Sequence, residues 1–515
     1  MPTGRTLLPR STPSAVGVSS HALTALLDRL EASAVECHSL MVVRHGHVVA
    51  EGWWAPYSAG RPHLLYSLTK TVTAVAVGLA VANGVLALDD RVVDVLPDHV
   101  PADVSDRARR LTVHHLLTMT TGHREDSIDE AWQREPGDLV RGFLAVPFPD
   151  PEGTRHAYDN PTTFVLARMV ERVTGRGLPE LLDERLLVPM GIEHAEWDRV
   201  GSGAAYGFHG LHLTTEAVAA FGELLLRGGR WGDRQLVPRG WVELMTRHHV
   251  DAEPYKDDAS HDTDFSRGYG YQTWMSQHGY HAHGAYGQQC VVVPSHDLVV
   301  AVTAEGEAQE VFDALWECLL PGLDDAAGAG DRVGGARDGE AGRVRDDDAT
   351  GARDDAAAGA RDDASARARD DEVLAERLRG LSLAPVPDPG DAGRSTEARL
   401  DGSVADSALP DGTVVVVDPV PGGWRLELGP SLPVEVGRGA WRESSPLGRP
   451  VVASGAWQDG TFVAELRIVT TPHRVRVVVD SAAGTATATW STVPLASPHL
   501  ERHLRSPLVT RPDHA

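Results

Sequence analysis

The chain has 515 residues, 42% apolar and 23% charged, with a formal net charge of −25, and that length predicts two or three domains. The charge excludes nucleic acid and anionic membrane surfaces as main partners, because phosphate binding needs clustered Lys and Arg. Cys37, Cys290 and Cys318 are far apart and form no C-x-x-C pair, so neither a disulfide framework nor a cysteine-based zinc site is implied.

Residues 1–17 hold Arg5 and Arg10 but no apolar run of signal-peptide length, so a cytoplasmic protein is expected. Residues 40–43 and 48–51 are short apolar runs around Arg44-His45-Gly46-His47, the pattern of a hairpin. Residues 71–88 carry no charge and reach the lower limit for a membrane span. Asn83-Gly84 divides the run as a helix C-cap would, so a buried core helix is expected. Mostly helical patterns follow, such as 217–226. A second hairpin is expected from 290–293 and 298–302 around Pro294-Ser295-His296-Asp297, then a helix over 307–320. Two hairpins far apart in sequence can share one antiparallel sheet flanked by helices, with a helical insertion completing a cleft.

Residues 324–371 are almost entirely Ala, Gly, Arg and Asp, with Arg-Asp pairs every eight residues at Arg337, Arg345, Arg353, Arg361 and Arg369. So few large apolar side chains cannot offset the entropy of ordering, and a disordered linker is expected. Beyond it 372–379 reads as helix, and 414–417, 424–428, 462–468, 475–479 and 485–490 read as strands of a small barrel or sandwich. The expected organisation is a mixed helix-and-strand domain over 1–323, a linker over 324–371 and a β-rich domain over 372–515.

The strongest chemical signal is Ser67-Leu68-Thr69-Lys70 at the head of the uncharged helix. A spacing of three sets both side chains on one helical face. Serine needs an adjacent base to act as a nucleophile, and at a helix N-terminus it also offers its backbone N–H to a developing oxyanion. The chain writes Arg almost everywhere and contains only two lysines, Lys70 and Lys256. Lysine at position 70 therefore points to a need for an amine that can lose its proton, which arginine cannot do. Tyr158-Asp159-Asn160 offers a phenol whose ionised form a lysine would stabilise and an amide able to bond both lysine and substrate. His283-Gly284-Ala285-Tyr286 places small residues at a strand edge that a substrate could approach closely. The close histidine pairs, His281 with His283, His45 with His47 and His209 with His212, lack the partners of a metal-site spacing, so no metal is expected.

In this order the three motifs resemble those of the serine β-lactamase and penicillin-binding-protein superfamily, in its class C β-lactamase-like and esterase branch. Residues 116–123 and 221–231 look like the same family, and the resemblance spans roughly 16–320. It implies an α/β (α+β) fold with an antiparallel sheet, flanking helices and a helical subdomain. It also implies an acyl-enzyme on Ser67, with Lys70 and Tyr158 as general base and acid. Asn160 would orient Lys70 and substrate, and the N–H groups of Ser67 and Tyr286 would hold the oxyanion. Two departures stand out: Ala285 replaces the family's usual Gly, and His283 replaces the Lys of true β-lactamases. The expected activity is a carboxylesterase-like hydrolysis of small esters or amides without a cofactor. A D-amino-acid peptidase, a weak β-lactamase and a non-catalytic penicillin-binding-type sensor are the alternatives. The β-rich domain implies no separate activity, and the sequence gives no oligomeric state.

Overall fold

The computed structural model describes residues 6–252, 263–323, 349–390 and 395–506, and side chains throughout these except in 349–362. Lys256 and residues 324–348 of the expected linker lie outside the described residues.

The N-terminal domain is built on a six-stranded antiparallel sheet of β1 (Glu36–Arg44), β2 (His47–Trp53), β3 (Trp274–Ser276), β4 (Gly279–Gly284), β5 (Gln288–Val293) and β6 (Leu298–Glu305). Its spatial order is β2-β1-β6-β5-β4-β3, so both expected hairpins share it. The central strands are buried on both faces and read as near-continuous apolar runs. Alternation then assigns each residue to a layer. Leu40, Val42, Val300 and Val302 pack with Leu23, Leu26 and Leu30 of α1 (Ser20–Glu31). Met41, Val43, Val299 and Ala301 face the opposite layer, which contains α2 (Thr69–Ala82), α3 (Asn160–Thr174) and α4 (Thr215–Leu226).

Helix α2 is the expected core helix. Its residues Thr69 to Ala80 are all buried, and it ends at Asn83 with Gly84 at φ +70°. Among the described residues no helix is long and apolar enough to cross a membrane.

The expectation of disorder through residue 371 needs correction, because residues Ala349–Arg379 form one helix, α5. Alanine and arginine are among the best helix formers, and they outweigh the poorer Asp and Gly of the repeat. Tertiary contacts then fix its C-terminal half. Asp371 accepts from Ser14 Oγ and Ser20 Oγ, each at 2.5 Å, and Leu374 and Leu378 join the core beneath α1.

The C-terminal domain is a closed barrel rather than a sandwich. Eight strands run as β7 (Thr396–Leu400), β8 (Val414–Val420), β9 (Gly423–Leu428), β10 (Pro433–Arg438), β11 (Val451–Gln458), β12 (Thr461–Ile468), β13 (Arg474–Asp480) and β14 (Thr485–Trp490). The parallel β10–β11 pairing closes the ring, which removes exposed edges. Trp424, Trp457, Phe462 and the inward valines of β13 fill it. The barrel is seated on the first domain: Leu64 N donates to Thr470 O at 2.8 Å, Arg467 Nη2 to Glu36 Oε2 at 3.0 Å and Arg474 Nε to Glu305 Oε2 at 3.0 Å.

Candidate active site

Ser67 sits in a 3₁₀ turn, Tyr66–Leu68, that leads directly into α2. Threonines of the helix fix it to the walls of the site. Thr71 Oγ1 donates to Gln272 O at 2.6 Å, and Thr73 Oγ1 to Gly207 O at 2.7 Å. Gln272 N in turn donates to Leu117 O at 3.0 Å.

Lys70 follows one turn later and is buried. Its Nζ lies 2.9 Å from Ser67 Oγ, 2.6 Å from Asn160 Oδ1 and 3.1 Å from Phe208 O, and 4.8 Å from the centre of the Tyr158 ring. Burial pulls the Lys70 amine down to about 7, against the negative charges of Asp126 and Asp159, which favour the ammonium. The ammonium donates to Ser67 Oγ, and once neutral the same amine can accept the serine proton over the same distance.

The Tyr158 loop is positioned from beneath. Asp159, fully buried, accepts from His123 Nδ1, Ser127 N and Ser127 Oγ, each at 2.8 Å. Ala157 N donates to Met119 O at 3.0 Å, so the 116–123 segment supports the loop. Tyr158 stacks on Trp274 at 5.5 Å. Asn160 opens α3, and its Nδ2 donates to Asp126 Oδ2 at 2.5 Å, which fixes the amide with its oxygen toward Lys70. Burial and the neighbouring Asp159 charge raise the Asp126 carboxyl to about 6 despite the hydrogen bonds it accepts from Asn160.

The third motif lies on β4 and the turn after it. A Cβ at Gly284 would fall 1.9 Å from Leu65 O and 3.1 Å from Tyr66 Cβ. Only glycine lets the strand lie flush against the chain that delivers Ser67. Tyr286 follows at φ +65°, its ring 5.3 Å from that of Tyr66. Burial, with the Lys70 charge nearby, drops the His283 imidazole to about 3, so it is neutral at physiological pH and packs edge-on against Phe265.

The structure thus brings Ser67, Lys70, Tyr158, Asn160, His283, Gly284 and Tyr286 together, with Ala285 joining the last two. Sequence reasoning missed Asp126, the Phe208 carbonyl and Trp274. A backbone carbonyl leaves no trace in the sequence, and Asp126 stands in a loop without a motif. It also missed Glu196 and Asp198 beside His212, whose ligand atoms lie within 4.8 Å of one another. The guanidinium of Arg449 reaches that cluster, 2.7 Å from Glu196 Oε1 and 3.6 Å from Asp198 Oδ1, so a cation from the barrel side already pairs with its carboxylates.

Residues 23–317 match the family model described as Beta-lactamase. The chain is 27% identical over 254 residues to the 6-aminohexanoate-dimer hydrolase of Paenarthrobacter ureafaciens, covering 46% of this chain and 64% of that protein. It is 30% identical over 209 residues to Esterase EstB of Burkholderia gladioli, covering 35% and 53%. The match thus spans less than two thirds of either relative. A penicillin binding protein from Bacillus halodurans superposes with a TM-score of 0.44 at 21% identity, over 58% of this chain and 99% of that one. The family model covers more than half of the chain, and the chain belongs to the Beta-lactamase family.

Proposed function

We propose that the protein is a serine hydrolase that opens an ester or amide bond through an acyl-enzyme on Ser67. The observation that carries this reading is the buried Lys70 amine, held near neutrality 2.9 Å from Ser67 Oγ. Ser67 Oγ attacks the carbonyl carbon while its proton passes to Lys70, directly or by way of the Tyr158 phenol. The oxyanion develops toward the backbone N–H groups of Ser67 and Tyr286. The same proton goes to the leaving group as the carbonyl re-forms, and water repeats the sequence in reverse order to release the acid. Asn160 holds Lys70 and leaves its amide within reach of the substrate.

A small carboxylic ester is the favoured substrate. Neutral His283 provides no fixed cation for the carboxylate that β-lactams and D-peptides carry. The name of the Paenarthrobacter relative supports small amides as the second class. A net charge of −25 supports a small-molecule substrate rather than nucleic acid, and the free cysteines Cys37, Cys290 and Cys318 suit a reducing cytoplasm. The test is turnover of p-nitrophenyl esters, small amides, D-peptides and a chromogenic cephalosporin. Ester release beyond one equivalent per chain is expected, with cephalosporin kcat/KM below that of the best ester. A stoichiometric burst without turnover would instead make the protein a penicillin-binding-type sensor.

A further inference from the structure

Two tyrosines occupy left-handed backbone at the site: Tyr66 at φ +48°, just before Ser67, and Tyr286 at φ +65°. Such conformations are costly away from glycine and persist where the surroundings over-determine them. Here both tyrosines are anchored by their hydroxyls, and both anchors come from the C-terminal barrel. Tyr66 Oη donates to His473 Nε2 in the turn between β12 and β13. His473 Nδ1 donates to Thr492 O at 2.9 Å, which fixes the tautomer that leaves Nε2 free to accept. Tyr286 Oη donates to Val493 O at 2.6 Å, in the segment just past β14. The His473 ring is fully buried between them, 5.7 Å from Tyr66 and 5.0 Å from Tyr286. The chain entering the Ser67 turn is further pinned by the bond from Leu64 N to Thr470 O.

We propose that the barrel is a working part of the active site, in which His473 and the Val493 carbonyl hold Tyr66 and Tyr286 so that the Ser67 and Tyr286 N–H groups converge on the oxyanion. The role rests on the acyl-enzyme reading above and extends it: His473 is a positioning residue, and the barrel sets catalytic rate rather than only adding mass. Because two polar contacts from one barrel end reach both halves of the candidate oxyanion hole, losing either should cost transition-state stabilisation with little effect on ground-state binding.

The test uses full-length protein and steady-state ester hydrolysis. His473→Phe keeps a ring but cannot accept from Tyr66, and kcat is expected to fall about 10- to 100-fold with KM within about threefold. His473→Gln, whose amide oxygen can accept from Tyr66, should recover to within about threefold of wild type. Since His473 is buried, Tyr286→Phe provides an independent arm. It removes a single hydroxyl, and a kcat loss of about fivefold or more at unchanged KM is expected. Circular dichroism and thermal unfolding confirm that each variant is folded. Wild-type kcat in folded His473→Phe and Tyr286→Phe, or a Gln variant no better than Phe, would overturn the bracing role while leaving the hydrolase reading intact. Failure of the wild-type protein itself to hydrolyse any ester or amide would strike the hydrolase reading instead. Should His473→Phe not fold, Tyr286→Phe alone decides.

Discussion

Lys70 and Asp126 are joined through the two ends of one amide. Asn160 Oδ1 accepts from Lys70 Nζ at 2.6 Å, and Asn160 Nδ2 donates to Asp126 Oδ2 at 2.5 Å. The carboxylate thus sets the orientation of the amide that holds Lys70, and its charge favours the protonated amine. On the acyl-enzyme reading, these two effects make Asp126 a control on the pH at which Ser67 would become a nucleophile.

If Lys70 must be neutral to take the serine proton, kcat/KM for an ester rises with pH through about 7 and levels off above it. Asp126 titrates near 6 and is mostly ionised at the midpoint of that rise. Asp126→Asn removes the negative charge but keeps an oxygen for Asn160, so Lys70 loses its proton more easily. The acidic limb is then expected to move to lower pH, by roughly half a pH unit to one. A pH–rate profile of the variant that stays in place or moves up would contradict this.

Lys70→Met separates function from stability. Acylation should fall by about 10² to 10⁴, the usual worth of a positioned base. The folded Lys70 is held near 7, against an ordinary value of 10.5. Between those values the unfolded chain binds a proton that the folded chain does not, so this residue makes stability rise with pH there. Below about 7 its burial cost is felt in full. Denaturant unfolding is therefore expected to favour the methionine variant more at about pH 6 than at about pH 10. Methionine is a cleaner replacement than arginine because Lys70 is enclosed by Ser67, Asn160 and Phe208. An equal stability difference at the two pH values would show that Lys70 carries no such burial cost.

Gly284→Ala tests how closely β4 must approach the turn that carries Ser67. The added methyl would fall 1.9 Å from Leu65 O, a backbone atom that has no flexible end to move. Displacing the strand by about 1 Å should reduce kcat roughly 100-fold, and overpacking should cost about 1–3 kcal/mol of stability. Unchanged kinetics and unfolding would show that the strand has room to spare.

The end of α5 is expected to behave as core rather than as linker. Leu374 is 1% exposed, and Leu374→Ala should destabilise the protein by about 2–5 kcal/mol. Asp371→Ala leaves Ser14 and Ser20 without their acceptor and should cost about 1–3 kcal/mol. A deletion ending at residue 371 would remove that acceptor and is expected to lower the melting temperature. Melting temperatures equal to wild type in both point variants would restore the linker reading for this segment.

Much of this was legible in the sequence, for identifiable reasons. The hairpins β1–β2 and β5–β6 are apolar runs around clear turn residues, and the 67–70 spacing sets serine and lysine on one helix face. Three barrel strands, β7, β10 and β11, were missed, and β10 and β11 each contain a residue that usually punctuates. Pro433 opens β10, and Gly455 lies inside β11 because a Cβ there would sit 2.9 Å from Val436 Cγ1 and Val463 O. The helical end of the Arg-Asp repeat was missed because composition weighs average burial. A few residues, among them Asp371, Leu374, Arg377 and Leu378, carry its anchoring. The His473 and Val493 contacts pair residues more than 200 positions from their partners, a relation that no local pattern encodes.

The most direct test is time-resolved intact mass spectrometry after mixing the full-length protein with p-nitrophenyl acetate near pH 8, followed by peptide mapping of the trapped species. The expected result is a transient gain of one acetyl group per chain, located on Ser67, that decays with turnover and is absent in Ser67→Ala. Turnover with the acetyl group on another residue, or undiminished hydrolysis by folded Ser67→Ala, would contradict Ser67 as the nucleophile.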